Sequence, residues 1–207
     1  MNLYTYVGND PANKTDPSGL KCEVGSNGPE CHYDEFRDNK GKVISREDAT
    51  KGGNRVTRAL KMDPASRVAR QERAMTDKYK SALALKDRGG SVTVGGSAKL
   101  GVADQTISGN RIVSAMESTP LVATGQSGPS SNMAAGTEKG SVTGDVFRIV
   151  FYGNGGLSSD FGRTFGHEEL HSAYSWPSAS DKGWDTPGEE FQQLHQQPFD
   201  SASDSIK

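Results

Sequence analysis

The chain has 207 residues, which suits one domain with an appendage or two small domains. Only 32% of the residues are hydrophobic and 25 are glycine, too polar a mixture for the whole chain to share one dense core, so part of it is expected as linker or loop. A net charge of -2 gives no electrostatic footprint for nucleic acid, and no apolar run approaches the length of a membrane span.

The N-terminal residues Met1-Asn2-Leu3-Tyr4-Thr5 have neither a basic nor an apolar signal region, so no secretory signal peptide is expected. Leu3 to Val7 is a short β-prone run. The Asn-Asp-Pro and Asp-Pro-Ser-Gly clusters after it favour tight turns. This stretch, with Tyr4-Thr5-Tyr6-Val7-Gly8-Asn9-Asp10-Pro11 and the closing Asp16-Pro17-Ser18-Gly19-Leu20, resembles the end of the core region of RHS/YD-repeat proteins. The resemblance implies a parental β-shell around a variable C-terminal toxin, released by aspartyl self-cleavage. On this chain the cut would fall between Leu20 and Lys21, with Asp16 as the acidic residue of the motif. It also implies a cognate immunity protein as partner, and delivery into the cytoplasm of a target cell through the parent polypeptide or a secretion machine. Residues 1–20 are thus expected as an RHS-core remnant.

Residues 21–60 are rich in Gly, Asn, Lys and Asp without a sustained period and are expected as a flexible lead-in. Cys22 and Cys31 can close a small disulfide loop, but the favoured expectation is thiols, free or opportunistically paired. His32 stands beside them, yet no second Cys/His pair completes a metal site. From residue 61 to 207 a catalytic domain of α+β type is expected: a small, mainly antiparallel sheet packed with a metal helix and a downstream glutamate-bearing helix.

Its first helix starts at Asp63, an N-cap, with Pro64 in the first helical position. Val68, Met75, Tyr79, Ala82 and Leu83 recur at helical spacing as a core face, and Gly89-Gly90 ends it. Val92-Thr93-Val94 reads as a strand. Thr106-Ile107-Ser108 and Arg111-Ile112-Val113 flank Gly109-Asn110, which reads as a two-residue hairpin. Pro120 to Thr124 adds a strand, and the Gly/Ser/Thr-rich residues 125–144 are expected as a long loop, either a functional lid or, as the favoured reading, disordered. Val146 to Tyr152 is the strongest strand. It is either an edge on which an extended substrate can add or a central core strand.

The metal helix follows, capped by Ser158, Ser159 or Asp160 and anchored by Phe161 and Phe165. Gly162 and Gly166 suggest close backbone packing. Within it stands His167-Glu168-Glu169-Leu170-His171, the His-Glu-x-x-His signature of zinc hydrolases. Residues four apart share a helix face, so both imidazoles can turn to one cation. Glu168 falls beside the metal, where it can take a proton from metal-activated water and return it to a leaving amine.

A catalytic zinc usually takes three protein ligands. The metzincin position, six residues after His171, is Pro177, which excludes that class. Thr186, Pro187 and Glu189 read as a cap, a first-position proline and a capping-box residue. Glu190 then lies on the apolar side with Leu194, and its spacing from His171 resembles the layout of the gluzincins. The order of candidates is Glu190, then Glu189, then Asp185, with His195 last. The block also resembles effector-type zinc peptidases of bacterial pathogens, with His-Glu-x-x-His-x-x-Tyr followed by a Glu-Glu helix. That implies cleavage of a peptide bond in a protein of the target cell. Tyr174, three residues beyond His171, is either a packing residue or a stabiliser of the oxyanion. The reading is a zinc-dependent endopeptidase toxin. The alternatives are an RHS-tip toxin of another class, a nuclease or ADP-ribosyltransferase, or a non-catalytic domain with a structural zinc.

Overall fold

The computed structural model of the chain describes residues 21–51, 63–96, 98, 103–129, 133–139, 146–153, 160–174 and 195–207. Residues 1–20, with Asp16 and Leu20 of the expected cleavage motif, lie outside them, as do 175–194.

Residues 21–51 are not a loose lead-in. They form β1 (Cys22–Gly25), β2 (Gly28–Cys31), β3 (Glu35–Arg37), β4 (Val43–Ile44) and α1 (Arg46–Thr50). Tyr33 and Phe36 enter the common core. Few apolar residues suffice here because each strand is short and borrows its core from the elements behind it. The cysteines are not thiols either. The antiparallel register sets Cys22 directly opposite Cys31, and their sulfurs are bonded at 2.04 Å. The spacing of nine residues is the reach of a hairpin, and only the register makes it a bond.

The first expected helix is α2 (Pro64–Asp87). The Asp63 side chain accepts from the Ser66 N–H at 2.9 Å, and Gly89 takes a left-handed φ of 65° beyond the C-cap. Val68, Met75, Tyr79 and Ala82 are buried as the spacing requires, with Leu85 added to the stripe. The strand β5 (Ser91–Val94) then pairs antiparallel with β6 (Gln105–Ser108).

The Gly109-Asn110 hairpin does not form. Gly109 opens α3 (Gly109–Ser118), and Ser108 caps it by accepting from the Arg111 N–H. Ile112, Val113, Ala115 and Met116 are buried at helical spacing, so packing overrides the β-prone side chains. Gly109 also serves a close approach, because a Cβ there would meet the Lys86 backbone at 2.6 Å.

The largest sheet runs β4-β3-β7-β9-β8, with β7 Leu121–Thr124, β8 Ala135–Lys139 and β9 Val146–Phe151. β7 is parallel to β3 and to β9, whereas β3/β4 and β8/β9 are antiparallel. Four of the six strand pairings among the described residues are antiparallel, so the α+β expectation holds, with a mixed sheet at the centre. β9 is a central strand, paired on both sides, and offers no edge to a substrate. Among the described residues the edges are β4 and β8, and β8 arises inside the stretch expected as disordered. α4 (Phe161–Ala173) packs with α2, α3, β8 and β9, and α5 (Gln197–Asp204) packs on α4.

Glu72 of α2 ties the N-terminal elements to this core. Arg46 donates to both of its carboxylate oxygens, at 2.6 and 2.5 Å, and His32 Nδ1 lies 3.7 Å away. Burial alone would raise the Glu72 carboxyl, but Arg46 and His32 outweigh it and hold it below its ordinary value. The pairing with Glu72 raises His32 despite partial burial. A raised histidine contributes stability that is fully present below its unfolded pKa of about 6.5 and is lost as pH rises through the folded value. The His32 side chain is 52% exposed, so screening keeps the contribution below about 1 kcal/mol. In thermal unfolding, wild type should therefore exceed His32→Asn in Tm at pH 6, and the gap should shrink at pH 9.

Candidate metal centre

The metal helix α4 is built as an anchored, close-packed element. Phe161, Phe165 and Leu170 are buried along it. Asp160 precedes it without a side-chain cap bond, and the Asp160 carbonyl accepts from the Arg163 and Thr164 N–H groups. Gly166 faces α5 so closely that an added Cβ would stand 2.3 Å from Ser203 Oγ. That hydroxyl is committed, donating to the Arg163 carbonyl at 2.9 Å. Lys78 donates to the Ser203 carbonyl and Arg163 pairs with Asp204, so three bonds fix α5 on its neighbours.

This contact brings His195 to the two histidines of α4. His195 lies just before α5. Its Nε2 is 3.0 Å from His171 Nε2 and 3.3 Å from His167 Nε2, and the potential ligand atoms of the three residues all lie within 4.8 Å of one another. His167 and His171 are buried and His195 is half-buried. Phe199, fully buried, lies against all three rings, with its centroid 4.0 Å from that of His171. The three histidines lie close enough together to bind a metal ion.

The hydrogen bonding around His167 fits such an ion. Asp200 Oδ1 lies 2.8 Å from His167 Nδ1, and a neutral ring donating there presents the lone pair of Nε2. Burial alone would raise Asp200, but the bonds from His167 and Gln196 outweigh it and hold the carboxylate low. Three imidazoles with Nε2 atoms this close need a shared proton or cation. Tetrahedral coordination with bonds of about 2.0–2.1 Å sets neighbouring nitrogens roughly 3.3 Å apart, close to the 3.3 and 3.0 Å between His195 and the other two rings.

Of the expected site residues, His167, Glu168 and His171 stand together on α4. Glu168 is buried, and burial raises its carboxyl, with Asp200 adding to the rise and His167 opposing it. Tyr174 is the C-cap of α4, its N–H donating to the Leu170 carbonyl, and its half-buried ring packs on the core. Burial pushes its phenol up. Glu190, Glu189 and Asp185, the three leading candidates for a third ligand, lie outside the described residues. Among the described residues it is His195, ranked last, that meets the pair. Asp200 and Phe199 were not anticipated. A signal for them exists: His195, Phe199, Ala202 and Ile206 recur at helical spacing, and the last three are buried. Lys21, beside the expected cleavage point, is buried.

No family model, no curated protein and no solved structure matches this chain. None of the helices among the described residues is long and apolar enough to cross a membrane.

Two outcomes follow from this geometry. Gly166→Ala should lower stability by about 1–3 kcal/mol in chemical denaturation, because the methyl group displaces Ser203 and its bond to Arg163. Asp200→Ala should weaken metal affinity by about 10–100-fold in competition titrations, because His167 loses the acceptor that fixes its tautomer and orientation.

Proposed function

We propose that this chain is a zinc-dependent endopeptidase, delivered as the toxin tip of an RHS-type polymorphic toxin into a target cell, where it cuts a protein. The observation that carries the catalytic part is the convergence of His195 on a His-Glu-x-x-His pair whose Glu168 is buried beside them. Three imidazoles are the donor set of a known class of catalytic zinc, and a borderline-soft ion suits them.

His167, His171 and His195 would hold the ion. Zinc supplies Lewis acidity there, polarising a carbonyl and making water acidic near neutral pH. Glu168 carries the proton, taking it from the attacking water and handing it to the leaving amine. Burial raises its carboxyl, which makes it a stronger base than an exposed glutamate. Asp200 holds His167 in the tautomer that presents Nε2. Phe199 covers the rings and keeps water off that side. An extended peptide would add to the outer edge of β8, which packs beside α4. Tyr174 is the candidate to hydrogen-bond the carbonyl oxygen as negative charge develops. The RHS resemblance of residues 2–20 supports the delivery route and the partners, a parental shell and a cognate immunity protein.

Removing the acid/base group tests this reading. Glu168→Gln should bind zinc as wild type does and lose about 10²–10⁴-fold in turnover, scored as new protein N-termini appearing in a target-cell lysate. New N-termini at the wild-type rate from Glu168→Gln, or from metal-stripped wild type, would reject the endopeptidase assignment.

A further inference from the structure

The hydrogen bonding that orients His167 does not stop at Asp200. The chain enters α5 through a π-helical turn at His195 and Gln196, a wide turn of the kind often found at functional sites. Gln196 and Asp200 then stand four residues apart, so their side chains share one face of the helix. The half-buried Gln196 amide donates through Nε2 to both carboxylate oxygens of Asp200, at 3.2 Å to Oδ1 and 3.1 Å to Oδ2. Oδ1 is also the atom that lies 2.8 Å from His167 Nδ1. His195, the residue before Gln196, brings its own Nε2 to 3.3 Å from that of His167.

Asp200 needs such a hold. Its side chain is 27% exposed, whereas that of His167 is 5% exposed. Water can therefore compete for the carboxylate, and the terminal torsion of an aspartate is broad, so a carboxylate left to turn offers a given donor either oxygen or neither. The two bonds from Gln196 span both oxygens and restrict that rotation, leaving Oδ1 aimed at the His167 ring. The neighbouring cation, Arg163, is engaged instead with Asp204 at 2.9 Å and with Asp160 at 3.1 Å.

We propose that Gln196 is a positioning residue for the metal centre: by clamping the Asp200 carboxylate it sets the direction in which His167 presents Nε2, and it does so from the position next to His195. One helical turn thus ties a ligand on α4 to the ligand that precedes α5. Gln196 acts through Asp200 and not on the ion. The inference rests on the metal-binding reading of the three histidines.

Cobalt(II), a coloured stand-in for zinc, tests it in the full chain without any assay of activity. Gln196→Met keeps the length of the side chain and removes the amide. It should bind cobalt about three- to tenfold more weakly than wild type, a smaller loss than that of Asp200→Ala because Gln196 stands one hydrogen bond further from the ion. Its visible bands at saturation should differ from those of wild type, because the His167 ring is no longer held in one direction. In the Asp200→Ala background the same substitution should cost nothing further, since its route to His167 is already gone. A role in the stability of α5 alone would give the same loss in both backgrounds and leave the bands unchanged. Wild-type affinity or wild-type bands in Gln196→Met overturn the proposal, as does a further loss of the same size in the Asp200→Ala background. If Gln196→Met does not fold, Gln196→Ser, too short to reach the carboxylate, carries the same comparisons. A wild-type chain that takes up no cobalt rejects the metal reading itself, and this inference with it.

Discussion

Imidazole nitrogens that meet at about 3 Å repel one another unless a proton or a cation lies between them. Three of them meet here, two from one turn of α4 and one from just before α5. Much of the C-terminal half serves this meeting. Gly166 lets α5 come down on α4, Ser203 and Arg163 lock the approach, and Arg88 holds the carbonyl of Lys207 at the chain end. An ion at this point would join two helices that are distant in sequence, so metal binding and the docking of α5 would be linked.

The same region carries an unusual load of buried polar groups. His167, Glu168, Glu169 and His171 are all buried within five residues of one helix. Propensity and apolar packing would not choose such a helix. Phe161, Phe165 and Leu170 supply its apolar burial, and His167 is met by Asp200, whereas the carboxyl oxygens of Glu169 have no hydrogen-bond partner. Sites of this kind concentrate groups whose pKa is displaced by burial, and both glutamates are displaced upward for that reason.

The sequence made the centre of the site legible and its periphery much less so. The His-Glu-x-x-His spacing is local, and helix geometry alone converts it into two imidazoles on one face. The cap at Asp63 and the stripe from Val68 to Ala82 were local in the same sense. His195 was harder, because its approach depends on how α5 docks, and 23 residues separate it from His171. The stripe of Phe199, Ala202 and Ile206 carries that information, but the capping pattern at Thr186-Pro187 is the stronger local signal and points to Glu190 instead. Gly109-Asn110 failed as a hairpin because short-range turn chemistry competes with a cap at Ser108 and with burial of Ile112 and Met116. Strand β8 hid in a glycine- and serine-rich stretch because an edge strand draws its stability from a neighbour, here β9, more than from its own side chains. The cysteine pair needed a register that only the folded hairpin supplies.

Elemental analysis of dialysed wild type and His195→Ala tests the central claim most directly. The account predicts about one zinc per wild-type chain and loss of most of it in His195→Ala, with the α-helical circular dichroism of the variant retained. A wild type without zinc after reconstitution, or a His195→Ala variant that holds zinc as firmly as wild type, would contradict it.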